Sequence, residues 1–108
     1  MTAKDILETE IPGVLKQKPE LAKEINAIIH FDVTGNDGGK WTVDLTKASD
    51  WVTAGANGTP KMTVTISNED LVKIREKKLN AKTAAMTGKI KFKPMDMGLA
   101  MKLDKLLS

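Results

Sequence analysis

His30 is the only histidine in this 108-residue chain and cysteine is absent, so nucleophilic or metal chemistry has few side chains to draw on. A Ser-His-Asp relay would have to use His30. Its neighbours Ile28 and Asp32 set it on the second face of a strand, and no nearby serine is assigned a role beside it. One imidazole without thiolates leaves a zinc ion to carboxylates alone. Asp32 and Asp44 fall on the same type of face of two consecutive strands, and a close pair in the hairpin could divide acid and base roles. Solvated strand faces give the same pattern, so no catalytic residue, metal or cofactor is assigned. The stretch "GNDGGK" at 35–40 resembles a phosphate loop only in composition. Its spacing is wrong, Trp41 stands where a magnesium-binding hydroxyl belongs, and a strand follows instead of a helix. It also lacks the later acidic positions of a calcium loop, and it reads as a turn.

Two side-chain groups remain. Residues 1–70 hold 7 Lys and 11 Asp or Glu, whereas residues 71–108 hold 10 Lys or Arg and 3 Asp or Glu. The basic last third can concentrate anionic partners, whether lipid headgroups, nucleic acid or an acidic protein patch, or serve solubility alone. Arginine, the preferred base reader, occurs once, and Trp51 is the one aromatic expected at the surface, so nucleic acid is not assigned as a partner. Methionine then recurs at Met95, Met97 and Met101. Unbranched, polarizable thioethers suit a cavity that must accept variable apolar shapes, and they equally suit gap-filling in an ordinary core. Composition leaves both readings standing.

The elements that must position these groups follow from periodicity. "TAKDILETEIPGVLKQ" carries a helical stripe of Ile6, Leu7, Ile11, Val14 and Leu15, bent or restarted at Pro12-Gly13, and Pro19 opens a second helix. From Ile28 the period becomes two: Ile29, Phe31 and Val33 share a face, then Trp41, Val43 and Leu45, then Met62, Val64 and Ile66, with a weaker strand through "DWVTA". Ser67 or Asn68 caps a helix that carries Leu71 and Ile74, and Asn80 caps another that ends at Gly88. "GKIKFK" is the last strand, stopped by Pro94. A closing helix places Leu99, Ala100, Leu103, Leu106 and Leu107 on one arc, with Met97 and Met101 on its flank and Lys102 and Lys105 opposite. The order predicts one α+β domain over 1–108, with a mainly antiparallel sheet of five strands covered by helices on one face. No run approaches the roughly 20 apolar residues of a membrane span, and the charged N-terminus suggests an unexported protein.

"WTVDL", "MTVTISNEDLVKI" and "TAAMTGKIKFKPMDMGLAMKL" resemble the sterol carrier protein 2 family, and "KPELAKEINAIIHFDVTG" fits its entry from helix to first strand. The resemblance implies an internal apolar tunnel and non-enzymatic binding or transfer of fatty acids, fatty acyl-CoAs, phospholipids or sterols. On this reading the tunnel draws on Phe31, Trp41, Met62, Ile90, Phe92, Met97, Met101 and Leu107. Lys89, Lys91, Lys93, Lys102 and Lys105 would meet a headgroup or a transient anionic membrane surface. The chain ends "LLS" where peroxisomal members carry a Ser-Lys-Leu type tripeptide, so the expected location is cytoplasmic. An interaction domain without lipid transfer is the alternative, and no oligomeric state is assigned.

Overall fold

A computed structural model describes residues 1–107. The N-terminal segment begins with a reciprocal cap: the Asp5 amide donates to Thr2 Oγ1 and the Thr2 amide donates to Asp5 Oδ2 at 2.9 Å. Helix α1 (Ala3–Asp5) then passes through a π-helical turn (Ile6–Glu10) into α2 (Ile11–Gln17) without a break. Pro12 is accommodated because the turn before it is wide. The Ile11 amide bonds the Ile6 carbonyl five residues back, which relaxes the backbone where proline offers no N–H and its ring would crowd the preceding turn. The same turn aims two carboxylates. Glu8 Oε2 accepts from Trp41 Nε1 at 2.8 Å, and Glu10 Oε1 accepts from Arg75 Nε at 2.6 Å. Helix α3 (Pro19–Ile25) starts on proline and ends where Asn26 turns left-handed, at φ 43°.

Strands β1 (Ile28–Thr34), β2 (Gly39–Asp44), β3 (Val52–Ala54), β4 (Met62–Ser67) and β5 (Ile90–Lys93) form one sheet in the order β3-β2-β1-β4-β5. Three pairings are antiparallel; β1 and β4 run parallel, with Phe31 opposite Val64. The sheet is therefore mixed, mainly antiparallel as expected. Alternation decides its faces. Ile29, Phe31, Val33, Trp41, Val43, Met62, Val64, Ile66 and Ile90 are buried, and the helices pack over them in one continuous core. The other face is polar, with Lys93, Thr63, His30, Thr42 and Thr53 aligned across all five strands. There the chain after β3 folds back, the Asn57 amide donating to Thr42 Oγ1 at 2.8 Å. Trp51 corrects the expectation of an exposed aromatic. It is buried, and its indole donates to the Lys47 carbonyl at 3.0 Å, so it offers no stacking platform.

Helix α4 (Asn68–Arg75) is capped by Ser67 and α5 (Ala81–Met86) by Asn80, whose Oδ1 accepts from Lys82 and Thr83 amides. Asp96 Oδ1 accepts from the Leu99 amide at 3.1 Å and starts α6 (Met97–Leu107). Leu99, Leu103, Leu106 and Leu107 anchor α6 in the core. Trp41 is only 6% exposed, so its link to Glu8 can be tested directly. Glu8→Ala should lower unfolding free energy by about 1 kcal/mol in urea titration by stranding the indole N–H, while Glu8→Gln, which keeps an acceptor, should retain most of it.

Candidate functional site

The edge of the sheet and the closing helix leave an apolar cleft of about 420 Å³. Ala81, Lys82, Ala85 and Met86 of α5 form one wall, Phe92 of β5 and Met95 line the space, and Met97, Ala100 and Met101 of α6 form the other wall. Small side chains keep it open: Ala81 and Ala85 lie one turn apart on α5, and Ala100 lies between the two methionines of α6. Phe92 is half-buried against the core. Around it Met86 is 87%, Met95 61%, Met97 67% and Met101 54% exposed, whereas Met62 is fully buried. A smaller cleft of about 260 Å³, with Lys23, Lys47 and Trp51 in its lining, lies beside α3.

Of the residues expected to line an apolar space, Phe92, Met97 and Met101 meet at the larger cleft. Phe31, Trp41, Met62, Ile90 and Leu107 are packed in the core and do not line it. Inward alternation places the strand side chains among them between sheet and helices, behind the cleft and buried from solvent. Lys91 and Lys93 alternate with Phe92 and point to the polar face of the sheet, opposite Thr65 and Thr63; Lys89 precedes the strand. Lys102 and Lys105 are turned away from the cleft toward α3. Lys102 Nζ donates to the Glu24 carbonyl at 3.2 Å and Lys105 Nζ lies 3.8 Å from Glu24 Oε1. Sequence reasoning missed Ala81, Lys82, Ala85, Met86, Met95 and Ala100 as lining residues. The available signal was the pair of alanines spaced by four beside Met86 in a helix leading into the last strand.

The acid–base candidates are kept apart. Asp32 pairs with Lys40 and Asp44 with Ile28, so the two carboxylates lie four residues apart along the hairpin, about 14 Å. Register thus removes the paired-acid alternative and agrees with the assignment of no catalytic residue to these strands. His30 Nε2 bonds the Asn57 carbonyl at 2.8 Å on the sheet face opposite Phe31. Among the described residues no three His, Cys, Asp or Glu side chains converge to hold a metal ion, and no helix is long and apolar enough to cross a membrane.

Asp44 is the carboxyl whose pKa is clearly moved. The Thr46 hydroxyl bond lowers it most, burial opposes this, and the Thr46 amide at 3.0 Å and the Lys47 charge lower it further. A carboxyl held below its ordinary 3.8 contributes its stability above that pH and loses it as pH falls through the lowered folded value. Asp44→Asn should therefore be less stable than the parent at neutral pH. The gap in denaturant midpoint should close in strong acid.

The fold is thus a helix-covered sheet with an apolar cleft at its edge, in which Lys82 is the one charged lining residue and from which His30, Asp32 and Asp44 are absent. The chain belongs to the SCP-2 sterol transfer family, whose model matches residues 9–108. It is similar to the sterol carrier protein domain 2 of Helicoverpa armigera, with 31% identity, TM-score 0.78, and 97% of this chain and 88% of that one covered. The palmitated SCP2L2 of Aedes aegypti gives 28% identity and TM-score 0.78, over 99% and 95% of the two chains. In the Dictyostelium discoideum peroxisomal multifunctional enzyme A, 40% identity extends over 92% of this chain but 23% of that protein. The chain thus spans less than a quarter of the curated relatives it matches. Family membership makes it a non-catalytic lipid-binding domain of the transfer type.

Proposed function

We propose that this domain binds and transfers single lipids with a long acyl chain, fatty acids and fatty acyl-CoAs foremost, using the cleft between α5, β5 and α6 as the mouth of its apolar space. The observation that carries the reading is that cleft: about 420 Å³, lined almost wholly by Ala, Met and Phe, with one cation, Lys82, on its wall. Its volume falls in the roughly 300–1,000 Å³ range of small-ligand sites. Burying ten methylenes contributes roughly 8 kcal/mol before ordering costs, so apolar burial can be the main driving term for binding without a dedicated polar contact. The palmitated state of the Aedes aegypti relative supports an acyl chain as the occupant. Phe92, Met97 and Met101 would touch the chain, and the buried Phe31, Met62 and Ile90 would back them. Lys82 would meet the anionic head, while Lys91 and Lys93 of β5 and Lys89 just before it add the field that draws the domain to an anionic membrane.

Titration with a fluorescent fatty acid and an acyl-CoA tests this, with saturable 1:1 binding as the expected result. Absence of saturation for both in folded protein would sink it. Lys82→Glu should weaken the fatty acid by about fivefold relative to a fatty alcohol of equal length, the scale of an exposed ion pair. Equal losses for acid and alcohol would remove Lys82 from headgroup recognition.

A further inference from the structure

Four of the six methionines stand around one cleft with more than half of each side chain in water, while Met62 is fully enclosed. Leucine would supply the same apolar area. What thioethers add is flexibility and a chemically reactive sulfur. We propose that Met86, Met95, Met97 and Met101 are a modification site for hydroperoxides, and that their conversion to sulfoxides releases the apolar ligand; this rests on the carrier reading above. The step is a two-electron oxygen transfer. A thioether lone pair attacks one peroxide oxygen, the S–O bond forms as the O–O bond breaks, and the departing hydroxide takes the remaining proton, leaving sulfoxide and water. The peroxide is the oxidant and is reduced to water or, for an organic peroxide, to the alcohol.

Exposure selects the sulfurs. Peroxide in solvent reaches the four rim methionines directly, whereas the sulfur of Met62 lies inside the sheet–helix core. The effect on binding follows from polarity. Each sulfoxide puts a strong acceptor and its hydration shell where an acyl chain would lie, and bringing the chain in strips that water without offering a donor. Lys82 is the one lining side chain able to donate a strong hydrogen bond, and it cannot serve four sulfoxides. The change is reversible, because reductases specific for each sulfoxide epimer restore the thioether.

The test treats the full chain with hydrogen peroxide, maps oxidation by peptide mass, and titrates a fluorescent fatty acid before and after. The expected result is oxidation of the four rim methionines well ahead of Met62, with binding weakened about tenfold or more and recovered after treatment with both reductases. In a variant carrying Met86→Leu, Met95→Leu, Met97→Leu and Met101→Leu, the ratio of dissociation constants after and before peroxide should be near one whatever the variant's own starting affinity, although Met1, exposed outside the cleft, is still oxidised in it. Binding unchanged in fully rim-oxidised, folded protein would overturn the inference, as would oxidation of Met62 in step with the rim or an equal loss in the leucine variant. No binding by untreated protein defeats the carrier reading and this consequence together; binding insensitive to rim oxidation defeats this inference alone.

Discussion

Placing tryptophan at Ala100 or Met101 should abolish measurable uptake of a long-chain fatty acid while leaving the domain folded. Ala100 is half-buried and Met101 is more than half exposed, both on the α6 wall of the cleft, and neither is among the leucines that anchor the helix. An indole there occupies the space without opening a void beneath it, so the thermal midpoint should move by only a few degrees. Each methylene kept out of the cleft forfeits roughly 0.8 kcal/mol, and excluding four or more lowers affinity by at least about a hundredfold. Fatty-acid titration beside circular dichroism checks both halves. Full stoichiometry and affinity in the folded Ala100→Trp variant would show that the ligand lies elsewhere.

Truncating Leu103 to alanine should have the largest effect on stability of any change in α6. Leu103 has no exposed surface and sits midway along the helix between Leu99 and Leu106. Loss of a buried leucine costs about 2–5 kcal/mol once the residual cavity is included. Domains of this size carry about 5–15 kcal/mol in total, so the variant should unfold at markedly lower urea or partly unfold in buffer. Because α6 is also a wall of the cleft, a fatty acid at a hundred times its dissociation constant should restore about 2.7 kcal/mol. Thermal melts with and without fatty acid measure both terms; a loss below 1 kcal/mol would mean that α6 contributes little to the fold.

The faces of the sheet were legible because their cause is local. Phe31, Val43, Val64 and Ile90 each follow a polar neighbour in strict alternation, and the pleat alone sends them inward. The parallel meeting of β1 and β4 was not, since it joins segments about thirty residues apart and depends on how β2 and β3 return. The site was legible in part for a related reason. Alternation marks Phe31, Met62 and Phe92 alike as inward, yet whether inward means packed core or open space depends on where α5 and α6 stop covering the sheet. Phe92, on the edge strand under that boundary, lines the cleft; Phe31 and Met62, in interior strands, are enclosed. The same alternation already separates Phe92 from Lys91 and Lys93, so these lysines and the cleft could have been assigned to different faces from sequence. The ties of Lys102 and Lys105 to Glu24 could not, because they require the crossing of α6 over α3.

The π-helical turn at Ile6–Glu10 also fixes the phase of the N-terminal helix. Ala3, Leu7, Ile11 and Leu15 recur at a strict interval of four, and all have no exposed surface. In a regular α-helix that interval overshoots a full turn by about 40° each time, so the first and last of the four would lie about a third of a turn apart. One wider turn in the middle takes up part of that drift and holds the stripe straighter against the sheet. The fold is consequently more tolerant of exchange than of insertion in this stretch. Losing or gaining a single residue between Ile6 and Glu10 would swing one end of the stripe into solvent, displace the Ala3 amide from Asn68 Oδ1, and do so without altering any side chain that touches the cleft.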